Sequence, residues 1–116
     1  MKPYLAKIDT NTTGSRADVT PLFADREAFS QLADDLATPF LEPDIHTVMV
    51  IDALGFILGT AIAERLAVGL VPARREGKLH VETIHESFVD HSGERKALEM
   101  RPDAPKRGMN VVVADE

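Results

Sequence analysis

The apolar positions of this chain fall into blocks with different rhythms. Over the first twenty residues they are sparse, and Asp9-Thr10-Asn11-Thr12-Thr13-Gly14-Ser15 gathers turn formers between two weakly apolar pieces. Thr20-Pro21 then introduces a helix, for which Asp25 is the candidate N-cap, with Glu27 in the first turn. Ala28, Phe29, Leu32, Ala33, Leu36 and Phe40 follow at helical spacing and form one apolar face, closed by Pro39 and Pro43.

The middle of the chain is more regular. Ile45 to Ile51 is β-branched and almost wholly apolar, ending at Asp52, and such a run predicts a strand buried on both faces of a parallel sheet. Gly55 to Leu66 lacks alternation and is rich in Ala and Leu, which predicts a mostly buried helix with Gly69 as its C-terminal cap. Leu70 to Ala73 is a second short strand, followed at once by Arg74-Arg75, so the order is one βαβ unit. After the charged stretch Glu76 to Leu79, Thr83–Phe88 and Ala97–Met100 can pair as a hairpin across Asp90-His91-Ser92-Gly93-Glu94. Pro102, Pro105 and Gly108 mark a loop, and Met109 to Ala114 is a third buried strand ending in Asp115-Glu116. The expected class is α/β: a Rossmann-like, mostly parallel sheet flanked by helices, with a β-hairpin. A Val-rich parallel strand is seldom the last element of its sheet, so the expected unit is a single domain over residues 1–116 that lacks its C-terminal part.

Composition narrows the function. The 116 residues carry 13 basic and 19 acidic side chains, a net charge of −6, which argues against a general nucleic-acid binder. Five Phe and one Tyr are too few and too scattered for a base-stacking surface. No cysteine is present, so disulfides and thiolate zinc sites are ruled out. No apolar run approaches the ~18 residues of a membrane span, and no apolar stretch follows Met1-Lys2-Pro3-Tyr4 as it would in a signal peptide; the expected location is cytoplasmic, with no membrane partner.

The chemistry suggested by the pattern lies at the strand ends. The three parallel strands end in Asp52, in Arg74-Arg75 and in Asp115-Glu116. In open α/β sheets the ligand crevice lies beyond the carboxyl ends of the strands. Arginines suit phosphate, and adjacent carboxylates suit ribose hydroxyls or a magnesium ion. Charged residues also follow strands simply because loops are solvated, and spacing alone leaves both readings open. Gly55 at the helix start admits an anion, but by itself it favours close packing of helix on sheet. The histidines His46, His80, His85 and His91 show no helical zinc spacing. His46 falls in the first strand, where a buried structural role is expected; the others lie in or near the hairpin, either solvated or available as an acid or base.

Four stretches resemble purine phosphoribosyltransferases of the type I fold, and among them the adenine phosphoribosyltransferases most closely. They are Asp18 to Asp25 with Phe29, Asp52-Ala53-Leu54-Gly55-Phe56-Ile57-Leu58-Gly59, Val71 to Leu79, and Gly108 to Glu116, in the family's order. The resemblance implies transfer of 5-phosphoribosyl from phosphoribosyl pyrophosphate to a purine base in nucleotide salvage, releasing pyrophosphate, with Mg2+ and a homodimer. It implies that the backbone at Ala53, Leu54 and Gly55 holds pyrophosphate, that Arg74, Arg75 and Lys78 add charge, and that Asp115 and Glu116 hold the ribose hydroxyls and, indirectly, the metal. The segment Glu76 to Glu94 would close over the site. Where the family's loop carries a Glu-Tyr pair this chain has His91 and Ser92, with an apparent one-residue insertion, which leaves His91 as the candidate catalytic group. Leu54 and Ala17 stand where the family has arginines, and no Thr-Gly-rich turn follows Glu116. These departures favour an alternative: a protein of the same fold that binds a nucleotide or sugar phosphate, or regulates, without turnover.

Overall fold

The computed structural model describes residues 2–116. Their packing divides into two units, one up to Pro39 and one from Phe40 onward.

The first unit is helical. α1 (Thr20–Ala24) and α2 (Arg26–Ala37) are separated by Asp25, whose extended backbone breaks the helix and whose carboxylate accepts the Ala28 N–H at 2.9 Å. That is the N-cap expected from the sequence. Lys7 reaches the same carboxylate at 3.0 Å. The Ala28 N–H and the Lys7 ammonium hold the Asp25 carboxyl below its usual range. Tyr4, Leu22 and Ala28 form the core, with Leu5, Ile8, Phe23 and Leu32 packed against it. Phe23 and Phe29 meet edge to face at 5.5 Å. The Tyr4 hydroxyl donates to Asp35.

The second unit is a five-stranded sheet in the order β3-β4-β2-β1-β5, made of β1 (Thr47–Ile51), β2 (Gly69–Arg75), β3 (Ile84–Val89), β4 (Arg95–Met100) and β5 (Val111–Ala114). β2, β1 and β5 run parallel, and β4 joins β2 antiparallel through Arg74↔Glu99 and Arg75↔Leu98. α3 (Leu54–Leu66) links β1 to β2, which completes the expected βαβ unit. Gly55, Gly59, Ile62 and Ala63 form its buried face at the i, i+4, i+7, i+8 spacing of one helical stripe. Against it lie Val48 and Val50 of β1 and Val112 and Ala114 of β5, all buried. The fit is close: a β-carbon at Gly59 would lie 2.1 Å from the Val50 Cγ1 and 3.1 Å from the Ala114 Cβ.

Three local expectations are corrected. The α3 helix is ended not by Gly69 but by Ala67, in the left-handed region at φ 56°, its N–H donating to Ala63 and Glu64 carbonyls; Gly69 already pairs with Thr47 as the first residue of β2. The parallel strands are not buried equally on both faces. With α3 on one side, Met49 and Ile51 on the other are half-buried, and Val113 is 61% exposed. His46 precedes β1 and is exposed; its role is structural, because its Nδ1 accepts the Asn110 N–H at 2.8 Å and so pins the start of β5 beside β1.

Candidate active site

Parallel pairing brings three strand ends to one rim, and hydrogen bonds there join the ends of β1 and β2. Asp52, just past β1, donates its N–H to the Ala73 carbonyl of β2 at 3.1 Å. Its carboxylate, 13% exposed, accepts the Arg75 N–H at 3.3 Å and lies 3.7 Å from the Arg74 Nε. Arg74 also sits over the Phe56 ring of α3, its Cζ 5.8 Å from the centroid. Asp52 and Phe56 thus hold the first arginine in place, while alternation sends Arg75 to the opposite face, where it is exposed.

On the other flank of β1, the start of α3 meets the end of β5. A β-carbon at Gly55 would lie 2.4 Å from the Ala114 carbonyl oxygen and 3.3 Å from the Asp115 Cα. A glycine is required here because no other residue allows the two backbones this close. The peptide between Asp52 and Ala53 is cis, and Ala53 N-caps α3 without a side-chain bond. The Phe56 N–H donates to the Ala53 carbonyl at 3.1 Å, and the helix dipole places positive charge at the Leu54 and Gly55 N–H groups that precede it. Asp115 and Glu116 are exposed, with the Glu116 N–H donating to Asp115 Oδ1 at 2.8 Å. Backbone N–H donors, an arginine pair and two carboxylates therefore line neighbouring strand ends.

The remaining predicted residues lie further out. Lys78 is exposed in the turn after β2, its N–H donating to the Arg75 carbonyl at 3.2 Å. His91 sits at the tip of the β3–β4 hairpin and makes no hydrogen bond or ion pair among the described residues. The hairpin projects past the rim: Ala97 of β4 accepts from Glu76, just beyond β2. At about 3.3 Å per residue the tip stands on the order of 15 Å farther along the strand direction.

Two carboxylates with many partners are not singled out by the sequence pattern. Asp90 accepts from Ser92 and Glu94 and pairs with Lys96 at 2.7 Å, which holds its carboxyl far below the usual range and ties the hairpin tip together. Glu99 is 6% exposed and accepts the Leu79 N–H at 2.8 Å. Its position in Ala97-Leu98-Glu99-Met100, an acid at an inward register beside a buried alanine, is the signal that could have found it. Among the described residues no group of three or more acidic or histidine side chains is placed to hold a metal ion directly.

No protein-family model matches the chain. It is 41% identical over 99 residues to an adenine phosphoribosyltransferase of Dinoroseobacter shibae, covering 85% of this chain and 55% of that protein. It is 40% identical over 99 residues to the Neisseria meningitidis enzyme of the same name, covering 85% and 52%. Among solved structures, the Rhodothermus marinus adenine phosphoribosyltransferase superposes with a TM-score of 0.83 at 31% identity, over 95% of this chain and 65% of that one. The chain has the type I phosphoribosyltransferase fold. The Saccharomyces cerevisiae adenine phosphoribosyltransferase, solved with adenine and an iminoaltritol bisphosphate, superposes at TM-score 0.83 with 25% identity, over 97% of this chain and 69% of that one. The chain spans about half the length of the curated phosphoribosyltransferases it matches. No helix of the described residues is long and apolar enough to cross a membrane.

Proposed function

We propose that this chain provides the pyrophosphate- and ribose-facing part of a purine phosphoribosyltransferase site, of the adenine type, which uses phosphoribosyl pyrophosphate in nucleotide salvage. The observation that carries the reading is the approach of Gly55 to Ala114 and Asp115, which sets helix-start N–H donors beside paired carboxylates. In the reaction a base nitrogen attacks the anomeric carbon as the bond to pyrophosphate breaks, and positive charge develops on the ribose. Little covalent chemistry is asked of the protein, so positioning and charge neutralisation carry the rate. The N–H groups of Leu54 and Gly55 bind the departing pyrophosphate, with Arg75 and Lys78 adding cationic charge. Arg74 contributes less free charge, since Asp52 neutralises part of it. Asp115 and Glu116 accept from the ribose hydroxyls. Mg2+, a hard cation that prefers oxygen, suits exposed carboxylates and pyrophosphate oxygens; it would screen the leaving group's charge. His91, on the projecting hairpin, serves as the acid–base group once the hairpin covers the rim. A homodimer and a cytoplasmic setting accompany the reading.

A second reading, binding or regulation without turnover, is favoured by Leu54: an apolar side chain, half-buried, stands where the family carries an arginine. One experiment separates the two. Thermal denaturation with Mg2+ and phosphoribosyl pyrophosphate tests the donor site, because a ligand bound only by the native state raises Tm. Pyrophosphate release is then measured with adenine, guanine, hypoxanthine, xanthine or orotate. A Tm shift with base-dependent release supports the transferase. A shift without release supports the second reading, and no shift at saturating ligand refutes both.

A further inference from the structure

We propose that Glu99 is a positioning residue for the pyrophosphate site: from within β4 it holds the backbone of residues 77–79 and so fixes where Lys78 delivers its charge. This rests on the functional reading above. Glu99 lies in register opposite Arg74, yet Arg74 turns to Asp52 and Phe56, which leaves the Glu99 carboxylate to the loop. The Leu79 N–H donates to it at 2.8 Å, and the neighbouring Gly77 and Lys78 backbone and the Thr83 side chain add smaller favourable interactions with its charge. Gly77, at φ +87°, supplies the left-handed residue of the turn that brings the Leu79 N–H to this carboxylate. These interactions keep the Glu99 carboxyl below its usual range, so the anchor is charged at neutral pH.

The consequence is specific. Residues 76–83 carry no helix or strand, and Lys78 lies in the segment Glu99 ties down. Without the tie, Lys78 keeps its charge but samples many positions, and the ordering falls on the binding step. Glu99 touches no substrate, so its effect on binding must run through Lys78.

The test is a double-mutant cycle on the full chain, with Mg2+ and pyrophosphate as the probe, read by titration calorimetry. Glu99→Gln and Lys78→Ala are each expected to weaken binding about tenfold, as loss of one charge-assisted contact does. The double variant is expected to weaken it by about the same tenfold, because with Lys78 gone there is nothing left to position. Gly77→Ala, which strains this turn at a site with open space around it and leaves Glu99 intact, is the second variant and must show the same coupling to Lys78. Amide exchange supplies a readout independent of ligand: Glu99→Gln should speed exchange at residues 77–79 and leave β1 unchanged. Unaltered exchange there, unaltered binding, or losses that multiply to about a hundredfold in the double variant would each overturn the proposal while leaving the functional reading intact. An unmutated chain that binds no Mg2+–pyrophosphate would overturn both.

Discussion

The seat of α3 on the sheet can be tested by adding one methyl group and then making room for it. In Gly59→Ala the new carbon would lie 2.1 Å from Val50 Cγ1, and 3.1 Å from both Val50 Cβ and Ala114 Cβ. Carbon atoms pack best at about 3.5–4 Å, so the first contact cannot persist, and Val50, 2% exposed, has no free space to enter. Overpacking of this kind costs roughly 1–3 kcal/mol, and the better helix propensity of alanine returns about 1 kcal/mol. Given the depth of the overlap, a net loss of about 2 kcal/mol is expected. Val50→Ala alone removes two buried methyl groups and should cost about 2 kcal/mol. In the double variant the 2.1 Å contact has vanished with Cγ1, and the methyl group added on α3 occupies the vacated volume. Gly59→Ala should therefore become neutral or stabilising by up to about 1 kcal/mol in the Val50→Ala background, a coupling of roughly 2–3 kcal/mol. Urea denaturation followed by circular dichroism measures all four proteins. Equal costs for Gly59→Ala in both backgrounds, within about 0.5 kcal/mol, would refute the packing described for α3.

Three further outcomes are expected. Gly55→Ala meets a backbone carbonyl rather than a flexible side chain, so Val50→Ala should not rescue it, and Mg2+–pyrophosphate binding by calorimetry should be lost together with stability. Ala67→Gly relieves a left-handed alanine and should raise the urea midpoint by the equivalent of about 0.5–1 kcal/mol; a lower midpoint would contradict the capping geometry. The pH profile should have two arms. Asp25, Asp90 and Glu99 have folded pKa values depressed by their hydrogen-bond and ion partners, so their stabilisation is present above about pH 4 and is lost as pH falls, and Asp90→Asn should make that acid arm shallower. Tyr4 is pushed up to about 12 by its bond to Asp35, by burial and by the Asp35 charge, so its contribution is full below pH 10 and is lost as pH rises toward 12. Tyr4→Phe should flatten the alkaline arm in thermal melts, and an unchanged arm would remove Tyr4 as its cause.

Much of this architecture was legible because it is written in short-range pattern. The apolar run into Asp52, the Ala- and Leu-rich helix and the valines before Asp115 gave the parallel strands and α3 to within two residues of their observed ends. Asp25 was legible as a cap because capping chemistry is local. What escaped depends on partners distant in sequence. Glu99 reads as an ordinary strand acid until the Leu79 N–H is placed on it, twenty positions away. Ala67 shows no sign of its left-handed backbone, and the glycine that seemed suited to the cap lies two residues on, in a strand whose register is set by β1. The one-sided burial of β1 and β5 follows from which layers cover the sheet, and side-chain types along a strand do not record that. At the rim, the residue types were legible, but the division of labour between the two arginines was not, because it depends on strand alternation and on Phe56.

The hairpin joins β2 through two strand pairs, Arg74↔Glu99 and Arg75↔Leu98, extended by the bond from the Glu76 N–H to the Ala97 carbonyl. Every other β4 pairing is with β3. A seam this narrow lets the β3–β4 arm lengthen, shorten or exchange its tip without shifting the register of β1, β2 and β5. Selection could then reshape what passes over the rim while the groove beneath it stays as it is, and a single extra residue near His91 is the kind of edit such an attachment absorbs.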